Sequence, residues 1–102
     1  MIKQVSAAEA KLLIEKESAI VIDIRDAASF ANGHIKDAFR IDNDNFQQFV
    51  DETDKNIPII VCCYHGNSSQ AATGVINSLG FTGYSLQGGM SSWTLSYPVE
   101  QG

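Results

Sequence analysis

Positive charge is what this chain has least of. Seven lysines and arginines stand against twelve aspartates and glutamates, a formal net charge of −5. No cluster of basic residues offsets the deficit. A nucleic-acid partner is therefore not expected, because recognition of a polyanion begins with a basic patch. The same balance gives no general steering of a small anion, so an anionic substrate has to be held by a local site. Cysteine is also sparse. The two present, Cys62 and Cys63, are adjacent and offer neither a disulfide framework nor metal-ligand spacing. A bond between such neighbours would close a strained ring, so both are expected as free thiols. Long apolar runs are missing too. No stretch spans a bilayer, and Met1-Ile2-Lys3-Gln4-Val5-Ser6 lacks the apolar core of a signal peptide. A free thiol with no membrane contact gives the cytoplasm as the expected compartment.

What is present is an ordinary globular composition, 44% hydrophobic and 19% charged over 102 residues. That is one domain, 1–102, large enough to bury a real core. Ile2 to Val5 reads as a short strand. Ser6 and Glu9 form a capping box for a helix that runs to about Glu17. Ala19-Ile20-Val21-Ile22-Asp23 is a second, buried strand. Asp26 caps a short helix through Phe30 that stops near Gly33, and Ala38-Phe39-Arg40-Ile41 is a third strand. Phe46, Phe49 and Val50 mark one face of a helix from about Asn43 to Glu52. Pro58 opens a central strand, a position where proline is tolerated. Gly83-Tyr84-Ser85-Leu86 is the last strand, and Gly88-Gly89 turns into a short helix carrying Trp93. Strands alternating with helices predict a three-layer α/β domain whose sheet is mainly parallel and has roughly five strands.

The most informative stretch begins at Ile59. Ile59-Ile60-Val61-Cys62 is a short apolar run, read as a strand buried on both faces. It breaks at Tyr64-His65-Gly66-Asn67-Ser68-Ser69, where glycine and small polar residues favour a tight turn. After Ser69 the spacing of Val75, Ile76 and Leu79 predicts a helix with Gly80 as its C-terminal cap. A cysteine thus sits where a strand ends and a loop enters a helix N-terminus. Backbone N–H groups can converge there, and the helix dipole adds partial positive charge. A thiol so placed is more acidic than a free one. Cys62 continues the strand and is expected to pack as a small hydrophobe. Cys63 is the last residue before the turn and is the candidate nucleophile. Asp23, Cys63 and Gln87 all lie at the carboxyl ends of strands, where open α/β sheets bind ligands.

Cys63-Tyr64-His65-Gly66-Asn67-Ser68-Ser69 resembles the active-site loop of single-domain rhodaneses, the thiosulfate sulfurtransferases. Within them it is most similar to the short prokaryotic enzymes associated with glycerol 3-phosphate metabolism genes. Asp23-Ile24-Arg25-Asp26, followed by Ser29-Phe30-Ala31-Asn32-Gly33-His34-Ile35, resembles one flanking signature of that family. Gly88-Gly89-Met90-Ser91-Ser92-Trp93 resembles the other, in the family's order around the cysteine. The resemblance covers nearly the whole chain and implies a rhodanese-like domain. It implies that Cys63 takes sulfur from thiosulfate as a persulfide and passes it to cyanide or a thiol acceptor, such as a small dithiol protein. No metal or organic cofactor is needed for that chemistry. It also implies a substrate-binding loop of Tyr64, His65, Gly66, Asn67, Ser68 and Ser69, with backbone amides inward and neighbouring side chains outward. The loop has no basic residue, which implies weak affinity for dianionic thiosulfate.

The remaining polar residues have plainer expected roles. Asp23 and Arg25 are expected to pair and pin the loop after the second strand. His34 is expected as a hydrogen-bonded turn residue, His65 as a rim residue, and Trp93 as a packing anchor beneath the site. Ser68 and Ser69 are expected chiefly to cap the following helix, a role compatible with donation to bound sulfur. The rival enzyme is a cysteine phosphatase or arsenate reductase, whose Cys-x5-Arg loop clamps a tetrahedral oxyanion. The arginine position is Ser69 here, and the only arginines are Arg25 and Arg40. Two other readings share the fold: a sulfur carrier fed by another protein's persulfide, and a non-catalytic module that binds a protein partner.

Overall fold

Local signals account for most element ends in the computed structural model, which describes residues 2–102. Helix α1 (Ala7–Glu17) opens with the expected capping box. Ser6 Oγ accepts the Glu9 N–H at 3.1 Å, and the Glu9 carboxylate accepts the Ser6 N–H at 2.8 Å. Hydrogen bonding from the Ser6 N–H first, and from the Ser6 hydroxyl second, holds the Glu9 carboxyl below its usual range. Asp26 caps α2 (Ala27–Asn32) by accepting the Ser29 N–H at 2.7 Å. Helix α4 (Ser68–Ser78) ends in a full Schellman motif, because Gly80 adopts φ +96°. Gly80 N–H donates to Asn77 O, and Phe81 N–H donates to Ile76 O. Ile76 and Phe81 also share one apolar cluster, as that motif favours.

The strands are β1 (Gln4–Val5), β2 (Ile20–Asp23), β3 (Phe39–Arg40), β4 (Ile59–Cys62) and β5 (Gly83–Leu86). They form one parallel five-stranded sheet in the order β1-β5-β4-β2-β3. The long apolar strands are central, and the two-residue strands β1 and β3 form the edges. Side chains alternate between faces, so each central strand feeds two cores. Val21, Ile60, Cys62 and Leu86 join Ala10, Met90 and Trp93 on one face. Ile22, Ile59 and Val61 join Val50, Ile76 and Phe81 on the other. Ile59, Ile60 and Val61 have no exposed surface. Each such aliphatic side chain contributes about 1.5–3 kcal/mol through burial.

The edge strands are shorter than the sequence reading, β1 starting at Gln4 rather than Ile2 and β3 spanning Phe39–Arg40 rather than Ala38 to Ile41. The largest difference is at the third helix. Helix α3 is Phe46–Glu52, starting three residues later than expected. Asp42 Oδ1 accepts the N–H groups of Asp44 and Asn45, and Asn45 Oδ1 accepts the Asp42 N–H at 2.8 Å. Short polar side chains here satisfy the backbone locally, so a turn replaces the first helical turn. The last helix, α5 (Gly89–Trp93), follows β5 directly. No helix among the described residues is long and apolar enough to cross a membrane.

Candidate functional site

Parallel pairing brings the predicted strand ends to one edge. Asp23 is in register with Cys62, and Val61 with Ser85. The chain leaves β4 at Cys63 and closes a short loop onto the start of α4. Cys63 Sγ accepts the Gly66 N–H at 3.0 Å and the Ser69 N–H at 3.3 Å. Ser69 Oγ lies 3.4 Å from the same sulfur. Burial on its own pushes the Cys63 thiol up. The Ser69 hydroxyl and the N–H groups of Ser69, Gly66 and His65 outweigh it and bring the thiol below its ordinary value.

The loop is fixed from two sides. The first amides of α5 grip its first carbonyls, Met90 N–H to Cys63 O at 2.8 Å and Ser91 N–H to Tyr64 O at 3.0 Å. This close approach explains Gly89, since a Cβ there would sit 2.4 Å from Cys63 O. Gly66 has φ +90°, and a Cβ on it would meet the Gly88 nitrogen at 2.9 Å. From the α4 side, Gln70 Nε2 donates to Gly66 O at 3.0 Å. Neither glycine can carry a side chain without moving the amides away from the sulfur.

Cys63, Gly66 and Ser69 thus converge, whereas Tyr64, His65, Asn67 and Ser68 carry exposed side chains. His65 Nδ1 instead lies 3.0 Å from Ser91 Oγ. The capping expectation for the two serines does not hold. Asn67 is the N-cap of α4 and makes no side-chain cap bond, while Ser69 Oγ is buried and turned to the sulfur. Its N–H, one of the donors a cap would satisfy, is taken by Cys63 Sγ instead. The sulfur caps the helix, and that is why neither serine has to.

Ser85 escaped the sequence reading. It is fully buried on β5 and lies 2.7 Å from Ser69 Oγ. Its one legible signal is a small polar residue within a buried strand, where a hydroxyl needs a partner. Asp23 is likewise buried, held by Arg25 through a 2.7 Å ion pair and by the Arg25 N–H at 3.0 Å. Arg25 also donates to Gly33 O at 2.7 Å, which ties the α2 turn to the site edge. The Asp23 carboxylate raises the guanidinium's hold on its proton, chiefly through that hydrogen bonding. His34 donates its structural role as expected: it stacks on Phe30 with 3.9 Å between centroids, and Nδ1 lies 2.8 Å from Phe30 O. Trp93 is buried in the core beneath α5. Beside Tyr64 a cleft of about 480 Å³ is lined by Arg25, Ser29, Ser91 and Thr94. Among the described residues no three His, Cys, Asp or Glu side chains are grouped to hold a metal ion.

A parallel α/β sheet with a cysteine cradled by amides at a helix N-terminus defines a class of anion-handling thiol domains. The rhodanese-like domain model matches residues 6–96, and the chain belongs to that family. It is similar to thiosulfate sulfurtransferase GlpE of Pseudomonas fluorescens strain SBW25, 46% identical over 88 residues, covering 85% of this chain and 81% of that protein. It is 42% identical over 99 residues to thiosulfate sulfurtransferase GlpE of Pseudomonas putida strain F1, covering 96% of this chain and 90% of that one. Among solved structures, a rhodanese-related protein from Thermoplasma volcanium superposes with TM-score 0.83 at 26% identity, covering 96% of this chain and 97% of that one.

Proposed function

We propose that this chain is a thiosulfate sulfurtransferase that carries sulfur as a persulfide on Cys63. The observation that carries the reading is the sulfur held by two backbone N–H groups and one hydroxyl at the start of α4. The Cys63 thiolate attacks the outer sulfur of thiosulfate. A sulfur–sulfur bond forms, the bond to the sulfonate breaks, and sulfite leaves with the electron pair. The new terminal sulfur is anionic, and loop amides from Tyr64 to Ser69 stabilise it without reorganising. Cyanide or a thiolate then attacks that sulfur, and Cys63 leaves as the thiolate. This is covalent catalysis in ping-pong order and uses no cofactor. The relatives named thiosulfate sulfurtransferase support the donor. A dithiol protein suits the acceptor role, and the need for a free thiol suits the cytoplasm.

Phosphatase chemistry fits less well. Position 69 holds a serine bonded to the sulfur, and both arginines are paired elsewhere, Arg25 with Asp23 and Arg40 with Asp42. A tetrahedral oxyanion would therefore lack its bidentate clamp. The decisive experiment is mass spectrometry after thiosulfate treatment. One added sulfur on Cys63, removed by cyanide as thiocyanate, is the expected result. An unmodified Cys63, or hydrolysis of p-nitrophenyl phosphate at a comparable rate, would overturn the reading.

A further inference from the structure

Ser85 is a hydroxyl in a place that packing alone would fill with an apolar side chain. Leu86 points into the core on one face of the sheet, so Ser85 points to the other face, toward α4. There it is fully buried, and its side chain makes one hydrogen bond, to Ser69 Oγ. Ser69 Oγ is in turn 3.4 Å from Cys63 Sγ. The three groups form a line from the strand to the reactive sulfur.

Each serine hydroxyl has one proton to give and can accept two. When a neutral thiol donates to Ser69, Ser69 donates to Ser85, and the Ser85 proton is left without an acceptor in the interior. When the sulfur is a thiolate, Ser85 donates to Ser69 and Ser69 donates to the sulfur. Every proton is then used. Two serines in series therefore favour the anionic sulfur over the neutral one, because a buried O–H without a partner is penalised.

We propose that Ser85 is a positioning residue for Cys63: its hydroxyl donates to Ser69 Oγ and so holds the Ser69 proton on the thiolate sulfur. The proposal rests on the reading of Cys63 as the reacting thiol and adds a group outside the loop. It acts at both ends of the cycle. A stabilised thiolate is present to attack the donor, and it is a better leaving group when the acceptor removes the sulfur.

The test is a thiolate titration by absorbance near 240 nm in a Cys62→Ala background, where Cys63 is the remaining thiol. Ser85→Ala is expected to raise the Cys63 pKa by about half a pH unit or more. Ser69→Ala should raise it at least as far, and the double variant no further than Ser69→Ala alone, since Ser85 acts only through Ser69. A Ser85→Ala titration identical to the parent's overturns the proposal, and so does a shift that adds in full to that of Ser69→Ala. If Ser85→Ala does not fold, Ser85→Thr and Ser85→Val are compared, because they share a shape and differ in the hydroxyl. A lower pKa in Ser85→Thr supports the proposal, and equal values overturn it. The titration needs no sulfur donor. Failure of sulfur transfer with the pKa coupling intact would thus count against the sulfurtransferase reading alone.

Discussion

Cys62 and Cys63 are neighbours in sequence and opposites in chemistry. Both are nearly closed to solvent, at 0% and 5% exposure, but Cys62 lies deeper in the protein than Cys63. Cys62 is the last residue of β4 and packs with Leu86, Met90 and Trp93. Burial pushes its thiol well above the ordinary value, and the Asp23 carboxylate beside it pushes the same way. Cys63 turns to the α4 side, where Gly66 and Ser69 supply N–H donors. An anion at Cys62 would face a carboxylate, whereas an anion at Cys63 faces donors. Depth and donor geometry together separate them: Cys62 is a packing element, and Cys63 is the thiol whose anion would be held by donors.

The sharpest way to break this contrast is substitution. Cys63→Ser should reduce thiosulfate-to-cyanide transfer to background, while Cys62→Ala keeps most of it, measured as thiocyanate formed. A well-folded but inactive Cys62→Ala would exchange the two assignments. Removing the charge that balances the Cys62 side comes next. Arg25→Ala leaves Asp23, fully buried, without its cation and should cost about 3–5 kcal/mol, read from urea unfolding. An unchanged urea midpoint would mean that the pair does not hold this edge together.

The titration difference gives a third comparison. Because the Cys63 pKa is lowered, its thiolate fraction saturates at a lower pH than that of a free thiol, whose pKa is about 8.5. Iodoacetamide labelling of the native protein should therefore rise with pH and level off early, giving one adduct on Cys63. Cys62, with its pKa raised, should label only after unfolding. Two native adducts at neutral pH would contradict the contrast. The smallest expected effect is at His65, whose exposed ring meets Ser91 rather than the sulfur. His65→Ala should lower turnover by less than about tenfold, against the ~10²–10⁴ that a general base contributes. A hundredfold loss, with Cys63 titrating as a free thiol, would make His65 the activator.

Much of this was determined by the sequence by itself. The apolar run Ile59–Cys62, the break at Gly66, the Ser6–Glu9 capping box and the alternation of strands with helices specify an α/β domain, with a cysteine at a helix entrance. These signals are legible because they are local: hydrophobic period, turn chemistry and capping act within a few residues. Tertiary structure decided the rest. That Ser69 turns inward depends on Cys63 Sγ taking the N–H a cap would satisfy, and that Ser85 Oγ reaches Ser69 Oγ depends on β5 lying in register beside β4. The late start of α3 depends on side-chain bonds between Asp42 and Asn45. Gly89 shows the same division. The sequence places a turn there, but only the packing of α5 against the Cys63 and Tyr64 carbonyls makes any larger residue impossible. A hydroxyl or a glycine looks the same in sequence wherever it stands, and its role is set by the atoms that distant segments bring within hydrogen-bond reach.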